Sequence, residues 1–424
     1  MPRVTNRLGD GGSSADQVAV RRHNLSLVMN HLRLHGSRSR ARLAAETGLN
    51  KATVSSLVAE LVSRSLVMEG ATERGAVGRP GLVMEIDPTT YVAVGAEVNI
   101  DYISVLVMNL RGEAVDERRV ALDTSHMKPT MVLRRLAKVV DAVLEPLMTR
   151  GTVPVGLTLA VPGLTDNEAG IVHDAPNLGW HGQPVVEQMR HYLGQLTLPV
   201  HLDNEANLAA LAELDARGDT APGELLLLTG AVGVGGGIVT GGRLLRGARG
   251  FAGELGHMQV DVDGKECRCG RRGCWETVVG LNALLDLAAS ADDPVRDPSV
   301  DVVQRLGELR RRAEAGDERT LHAIDQVADW MVRGCGTLVN LFNPEVLVLG
   351  GYFAVLGPWF SARLAEGLED QVFAPDGGGV QVELSTLGFS SAVRGGALRA
   401  THAVLDDPTI APLRSETDQL GDPS

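Results

Sequence analysis

Three of the four cysteines in this 424-residue chain, Cys267, Cys269 and Cys274, fall within eight residues of the stretch HMQVDVDGKECRCGRRGCWE, which runs from His257 to Glu276. Such a cluster ties a loop to a point, so the surrounding fold must bring both ends of the stretch together. His257, Cys267, Cys269 and Cys274 supply one nitrogen and three soft sulfur donors, the set that suits tetrahedral Zn2+. Gly270 and Gly273 let the chain turn tightly enough for Cys269 and Cys274 to reach one ion. Four protein ligands leave no open position for a water, so the site reads as structural and not catalytic. Buried thiols or a redox switch are the alternatives. The spacing and a cytoplasmic setting, where clustered cysteines more often bind metal than form structural disulfides, favour zinc. Cys335, between glycines in WMVRGCGTLVN, reads as a small packing residue on an apolar helix.

The cytoplasmic reading comes from the front of the chain. MPRVTNRLGDGGSSAD lacks the apolar core of a signal peptide, and residues 1–20 read as a flexible tail. The most apolar run, LLLLTGAVGVGGGIVTG from Leu225, resembles a membrane span, but its glycines suggest two buried strands and a tight turn, so no membrane partner is expected. The length predicts about two to four domains. With aromatics at 3%, aliphatic packing must carry their interiors. The net charge of −13 is uneven: residues 1–88 hold 12 Lys plus Arg against 8 Asp plus Glu, a net of +4 that leaves −17 on the remainder. A basic front on an acidic body points to a front that meets an anion.

That front, residues 21–88, has the pattern of a winged helix-turn-helix. HNLSLVMNHLRLHG from His23 places Leu25, Val28, Met29 and Leu32 on one helical face and ends at Gly36. A short helix follows in SRARLAAETG, with Ser39 as N-cap and Leu43 and Ala44 facing inward. Gly48 suits the sharp turn, Asn50 can cap a third helix, and Val54, Leu57, Val58 and Leu61 form that helix's apolar stripe. Asn50, Lys51, Thr53, Ser55 and Ser56 then lie at the start of a recognition helix that can enter the major groove of operator DNA. Two strands flank a wing loop in LVMEGATERGAVGRPGLVMEI, with Arg74 and Arg79 as candidates for backbone or minor-groove contact. The plainer alternative is a protein-interaction module.

After Pro88 the pattern is strand-rich. YVAVGAEV, YISVLVMNL and EAVDERRVAL read as strands, followed by a helix over about residues 128–150, the strand VPVGLTLAVPG, and a strand running into a helix in LPVHLDNEANLAALAELDARG. The scheme restarts at ELLLLTG, which predicts an α/β body of two duplicated βββαβαβα halves around a cleft, residues 89–220 and 221–405. The remaining residues, 406–424, read as a disordered tail.

AVPGLTD, NLGW, DNEAN, GVGGGIVTGGRLLRGARGFAGELGH and CRCGRRGCWE together resemble the ROK (repressor, open reading frame, kinase) family, within the actin-like ATPase and sugar-kinase superfamily. With the fused front, the resemblance covers nearly the whole chain beyond residue 20. It implies a two-lobed sugar-kinase fold and a monosaccharide pocket made by Asn177, Asn204, Glu205, Glu254, His257 and Glu276. His257 would then place one ring nitrogen on zinc and turn the other to the sugar. Gly163, in the VPG turn, would border the pocket through its backbone.

The family's kinases carry Asp-x-Gly-Gly-Thr in the first hairpin, where this chain has Glu97-Val98-Asn99-Ile100-Asp101. Both glycines and the Thr are gone, Ile100 is β-branched, and Asp101 adds a charge expected to repel a triphosphate. The kinases' Asn-Asp-Ala is here Asn204-Glu205-Ala206, one methylene longer at the base. The second glycine run, Gly233 to Gly237, survives, but glycines also suit a hairpin at a domain interface. EVNIDYISV resembles the xylose-repressor branch of the family. The expectation is therefore a non-enzyme: a repressor, homodimeric or tetrameric, that answers to a sugar such as xylose or glucose with no catalytic residues of its own. The alternatives are an active ATP-dependent sugar kinase with a fused DNA-binding domain, and a module that recruits a protein and needs no sugar.

Overall fold

The computed structural model describes residues 12–72, 82–374 and 379–411. Helix α1 spans Gly12–His35, followed by β1 (Arg38–Ser39), α2 (Arg40–Thr47), α3 (Lys51–Ser63), β2 (Val67–Thr72) and β3 (Leu82–Ile86). The caps form as their residue types predict. The Ser39 side chain accepts from Arg42 N, Gly48 closes α2 in the left-handed region, and Asn50 Oδ1 accepts from Thr53 N at 2.8 Å. Strands β1, β3 and β2 form one antiparallel sheet beside the helices. Arg74 and Arg79 lie outside the described residues.

The expected tail over residues 1–20 needs correction, because α1 begins at Gly12. Apolar periodicity could not reveal this added length, since Val18 and Val20 face solvent. Polar contacts follow directly after it: Arg21 bonds Glu60 of α3 and Arg22 pairs with Asp407.

The body begins with β4 (Tyr91–Val98), β5 (Tyr102–Asn109), β6 (Ala114–Ala121), α4 (Pro129–Met148) and β7 (Val153–Val161). An excursion of β8 (Leu164–Asp166), β9 (Ile171–Ala175), β10 (Trp180–Gln183) and α5 (Val185–Tyr192) precedes β11 (Val200–Asn204) and α6 (Glu205–Arg217). The second half holds β12 (Leu225–Gly230), β13 (Val234–Thr240), β14 (Arg243–Leu244), α7 (Glu276–Val279), α8 (Leu281–Ala288), α9 (Val302–Glu314) and α10 (Glu318–Phe342). It ends with β15 (Val346–Gly351), α11 (Tyr352–Val355), α12 (Gly357–Gln371), β16 (Gln381–Leu384) and α13 (Ser391–Asp406).

The two large sheets, β11-β7-β4-β5-β6 and β14-β13-β12-β15-β16, have the same topology. In each, the first strand of the half lies at the centre, antiparallel to the second strand and parallel to the fourth. The duplication inferred from pattern is therefore present in strand order. Both central strands are buried throughout or nearly so, as sheets covered by helices on both faces require.

The halves do not divide cleanly at residue 220. Helix α6 packs Ala209 and Ala210 against Leu225, Leu227 and Val239 of the second sheet. Helix α13 crosses back to the first sheet, where Val393, Ala397 and Leu398 meet Leu106 and Met108. A Cβ at Gly95 would overlap the Val393 carbonyl, and one at Gly395 would overlap the Leu208 carbonyl, so α13 touches β4 and α6 backbone to backbone. The expected disordered tail over residues 406–424 also needs correction at its start. Residues Pro408–Ile410 form a 3-10 turn, Ala411 is buried, and Arg64 donates to the carbonyls of Thr409 (3.2 Å) and Ala411 (2.6 Å). Tyr91, Leu110, Val404, Leu405 and Ala411 share one apolar cluster with Leu25, Leu57 and Leu61, so the front domain and the body have a common core.

Candidate functional site

All six residues expected to bind sugar line one cavity between the halves. Asn177 sits in the turn between β9 and β10, and its Nδ2 donates to Glu276 Oε2 at 3.4 Å. Asn204 ends β11 and caps α6, accepting from Ala206 N (2.9 Å) and Asn207 N (3.1 Å), while its Nδ2 donates to the Gly163 carbonyl at 3.1 Å. Glu205 opens α6. Glu254 caps a 3-10 turn that ends at His257, and Glu276 opens α7.

The Cys/His cluster forms the adjoining wall. The ligand atoms of His257, Cys267, Cys269 and Cys274 all lie within 4.8 Å of one another. Cys269 Sγ is 3.6 Å from Cys274 Sγ, and His257 Nδ1 is 3.7 Å from Cys267 Sγ. Sulfurs about 2.3 Å from a tetrahedral ion would stand about 3.8 Å apart, so this donor set fits one metal ion. Gly273 takes a positive φ and a Cβ there would overlap the Asp261 carbonyl, so this fold of the loop requires glycine. His257 turns Nδ1 to the cluster and also lines the cavity. Cys267 Sγ lies 2.9 Å from Glu276 Oε1, so the cluster directly adjoins the pocket carboxylate. Cys335 is fully buried, as a packing residue should be, and burial pushes its thiol up to about 12.

Carboxylates set the electrostatics. Burial, then the charges of Glu254 and Glu97, push Glu205 up to about 8. Burial and the charges of Glu276 and Asp174 push Glu254 up to about 7. Among the described residues no Lys or Arg lines the cavity. Such a lining suits the hydroxyls of a neutral polyol, which can donate to ionised carboxylates and accept from neutral ones.

The first hairpin turn contributes more than the sequence suggested. Glu97, Asn99, Ile100 and Tyr102 all line the cavity. Glu97 Oε1 accepts from Tyr102 OH (2.9 Å) and Asn99 Nδ2 (3.0 Å), and Thr124 Oγ1 pins the Asn99 carbonyl at 2.7 Å. None of residues 97–101 takes a positive φ, so the turn differs in kind from a glycine cradle for phosphate. The expected repulsion of a triphosphate by Asp101 is corrected: Asp101 is buried in an ion pair with the equally buried Arg305 of α9, which neutralises it and joins the two halves. Polar residues inside a buried strand end were the available signal for Glu97 and Asn99.

The surviving glycine run has a packing cause. A Cβ at Gly233 would crowd Asn177 Nδ2 and Glu276 Oε2, and one at Gly235 would crowd Ala206 and Glu205 Oε1. Gly236 and Gly237 lie equally close to Leu255 and to Ala206 and Ala210. Close approach of pocket side chains and α6 therefore accounts for these glycines without a nucleotide.

A buried ionic hub escaped the sequence reading. Asp203 is fully buried and accepts both Arg246 nitrogens, at 2.8 and 2.7 Å, and Arg399 Nη1 of α13 at 2.7 Å. It adjoins Asn204 and Glu205, so the pocket, the loop after β14 and α13 meet there.

At the front, Lys51, Ser55 and Ser56 are exposed and Thr53 is half-buried on the first two turns of α3, with Asn50 just before them as its cap. Ser55 Oγ donates to the Lys51 carbonyl, and Ser56 lies beside Arg21 of α1. Among the described residues no helix is long and apolar enough to cross a membrane.

Comparison with known proteins matches residues 93–402 to the ROK family model. A protein of Caldicellulosiruptor sp. (strain Rt8B.4) is 31% identical over 385 residues, 90% of this chain and 96% of that one. The xylose repressor of Caldicellulosiruptor bescii is 29% identical over 381 residues, 88% and 94% of the two chains. Among solved structures, a ROK family transcriptional regulator, homolog of the E. coli MLC protein, superposes with a TM-score of 0.72 at 24% identity, over 91% of this chain and 97% of that one. A ROK family glucokinase from Streptomyces griseus in complex with glucose and AMPPNP gives 0.61 at 25% identity, over 73% and 98%. With a family model spanning most of its length and relatives alike over both front and body, the chain belongs to the ROK family.

Proposed function

We infer that the protein is a sugar-responsive transcriptional repressor that binds a monosaccharide in a kinase-derived cleft without phosphorylating it. The observation that carries this reading is the first hairpin turn. Where a kinase would cradle phosphate, Glu97 is held by Tyr102 and Asn99, and Asp101 by Arg305. Phosphoryl transfer is mostly positioning and charge neutralisation around the phosphates, and this turn offers neither. The match to xylose repressors over 88–90% of the chain, against 72% for a glucokinase, supports the same conclusion.

The cysteine cluster would hold Zn2+ through His257, Cys267, Cys269 and Cys274, and four protein ligands make that a structural ion. When bound, it supplies a rigid clip between the His257 and Glu276 ends of the loop. Lys51, Thr53, Ser55 and Ser56, with Asn50 as cap, would face operator DNA. A homodimer, or a pair of dimers, would set two such helices on palindromic half-sites. The route from pocket to DNA is α13. Ser391 and Ala392 line the cavity, Arg399 grips Asp203, and Val404 and Leu405 enter the core of the front domain. Sugar-dependent closure of the halves would shift this strut as one body.

The test is operator binding by the purified protein with and without a panel of pentoses and hexoses, together with ATP consumption on the same sugars. The expected result is a sugar-dependent change in operator affinity with no ADP formed. Sugar-dependent ADP formation at a useful rate sinks this reading in favour of the kinase. Operator affinity that no sugar alters favours a module controlled by a protein partner.

A further inference from the structure

We propose that Arg119 is a positioning residue that ties the occupant of the cavity to the start of α13. This rests on the sugar-responsive reading above and deepens it. Strand β6 is the edge of the first sheet and largely exposed, yet the Arg119 side chain is only 17% exposed. Register explains where it points. Glu97 of β4 pairs with Ser104 of β5, and Ser104 pairs with Arg119, so the three form one row across the sheet. Side chains opposed in this way stand about 4.5–5.5 Å apart at Cβ. The row lies on the face that α13 covers, since Leu106 and Met108, on the same side of β5 as Ser104, pack against Val393, Ala397 and Leu398. Glu97 Oε2, Ser104 Oγ and Arg119 Nε are all buried, and none has a hydrogen-bond partner among the described residues. Burying open polar groups is costly, so a row of them at the cavity end of an otherwise apolar contact needs a reason that packing does not supply.

Arg119 joins two aromatic rings, one from each half of the body. Its guanidinium carbon lies 5.3 Å from the centre of the Tyr102 ring and 5.8 Å from that of Phe389, and the two rings meet edge-on at 6.2 Å. A cation over ring faces is attracted by their quadrupoles, more strongly where water is excluded. Tyr102 and Phe389 are both buried, and both line the cavity. On one side, Tyr102 OH donates to Glu97 Oε1 at 2.9 Å, so Arg119 steadies the ring that steadies the carboxylate. On the other, Phe389 sits in the 3-10 turn Gly388–Ser390, which leads directly into α13. Ser390 Oγ donates to Glu117 Oε1, an oxygen 3.8 Å from Arg119 Nη2, and this ties the same turn to β6. Burial raises Glu97 above the usual carboxylate range, and the bonds from Asn99 and Tyr102, then the charge of Arg119, draw it part of the way back. A hydroxyl that bonds Glu97 Oε2 from the cavity therefore bears on a continuous set: Glu97, Tyr102, Arg119, Phe389 and the first turn of α13.

The test titrates labelled operator DNA with the full-length, metal-loaded protein, with and without D-xylose or D-glucose at a concentration that calorimetry shows to be saturating. Arg119→Met keeps the apolar stem and removes the charge. It should lose at least half of the sugar-induced change in operator affinity on a logarithmic scale, while affinity without sugar stays within about 3-fold of the wild type. Arg119→Lys, which keeps a cation over the rings, should recover at least half of that loss, whereas a residue that merely filled space would be replaced better by Met than by Lys. Phe389→Leu should show the same loss, and combining it with Arg119→Met should add nothing further, as two links of one chain require. A full sugar response in Arg119→Met, or losses that add completely in the double variant, overturns the proposal alone. Should Arg119→Met fail to fold, Phe389→Leu and Ser390→Ala carry the test, and an unaltered response in both overturns it. If neither sugar changes the operator affinity of the wild type, the underlying reading fails and takes this one with it.

Discussion

Glu276 shows how closely two tasks are set at the scale of single residues. Its Oε1 lies 2.9 Å from Cys267 Sγ and its Oε2 accepts from Asn177, so the Cys/His cluster and the cavity meet at one side chain. Cys269→Ser should therefore abolish stoichiometric zinc, measured by metal analysis, and weaken sugar binding at least about 10-fold, while the front domain keeps its helical signal. Normal sugar response in that variant would break the coupling. Glu205 makes a pH prediction. The folded chain holds its proton up to about pH 8, whereas the unfolded chain releases it near 4.5. Between those values the folded state binds more protons, so this group's contribution to stability falls as pH rises from about 4.5 and levels off above about 8. Glu205→Gln should flatten that part of the stability-versus-pH curve, followed by urea unfolding at a series of pH values. An unchanged slope would mean that Glu205 ionises normally.

At the scale of elements, α13 joins what the chain order keeps apart. Its N-terminal end borders the cavity, its glycines meet β4 and α6 at backbone distance, and its C-terminal end enters the front domain's core. Sixteen residues of helix reach about 24 Å, enough to link the two sites with one rigid body. Asp203→Asn leaves Arg246 and Arg399 without their shared carboxylate and should cost about 3 kcal/mol in urea unfolding. Arg399→Gln tests transmission more directly. Sugar affinity should stay within about 3-fold while the sugar-induced change in operator affinity shrinks, as read by titrating labelled DNA with and without sugar. Full retention of the response would remove α13 from the route. The helix itself was legible in SSAVRGGALRATHAVL, but its partner was not, because an apolar stripe says that a helix is covered and not by which sheet.

For the whole molecule, the shared core between front and body is the main finding. Truncation after Asp406 removes Ala411 and the carbonyls that Arg64 grips, and it should lower operator affinity and the melting temperature together. Operator binding at wild-type strength after that truncation would show the front to be self-sufficient. Local chemistry made much of the molecule readable beforehand. Ser39, Gly48 and Asn50 cap and turn as their types require, the four residues of the Cys/His cluster come together as their spacing suggested, and alternating apolar runs become the strands of two like sheets. These features depend on neighbours close in sequence, and the family pattern supplied the six pocket residues. Only the tertiary structure decided the rest: Arg305 neutralising Asp101 across the cleft, Arg246 and Arg399 meeting on Asp203, Glu97 turned into the cavity, and α13 returned to the first sheet. Each is a pairing of residues distant in the chain, and such pairings follow from which surfaces remain uncovered once the sheets have formed, a quantity that no local pattern carries.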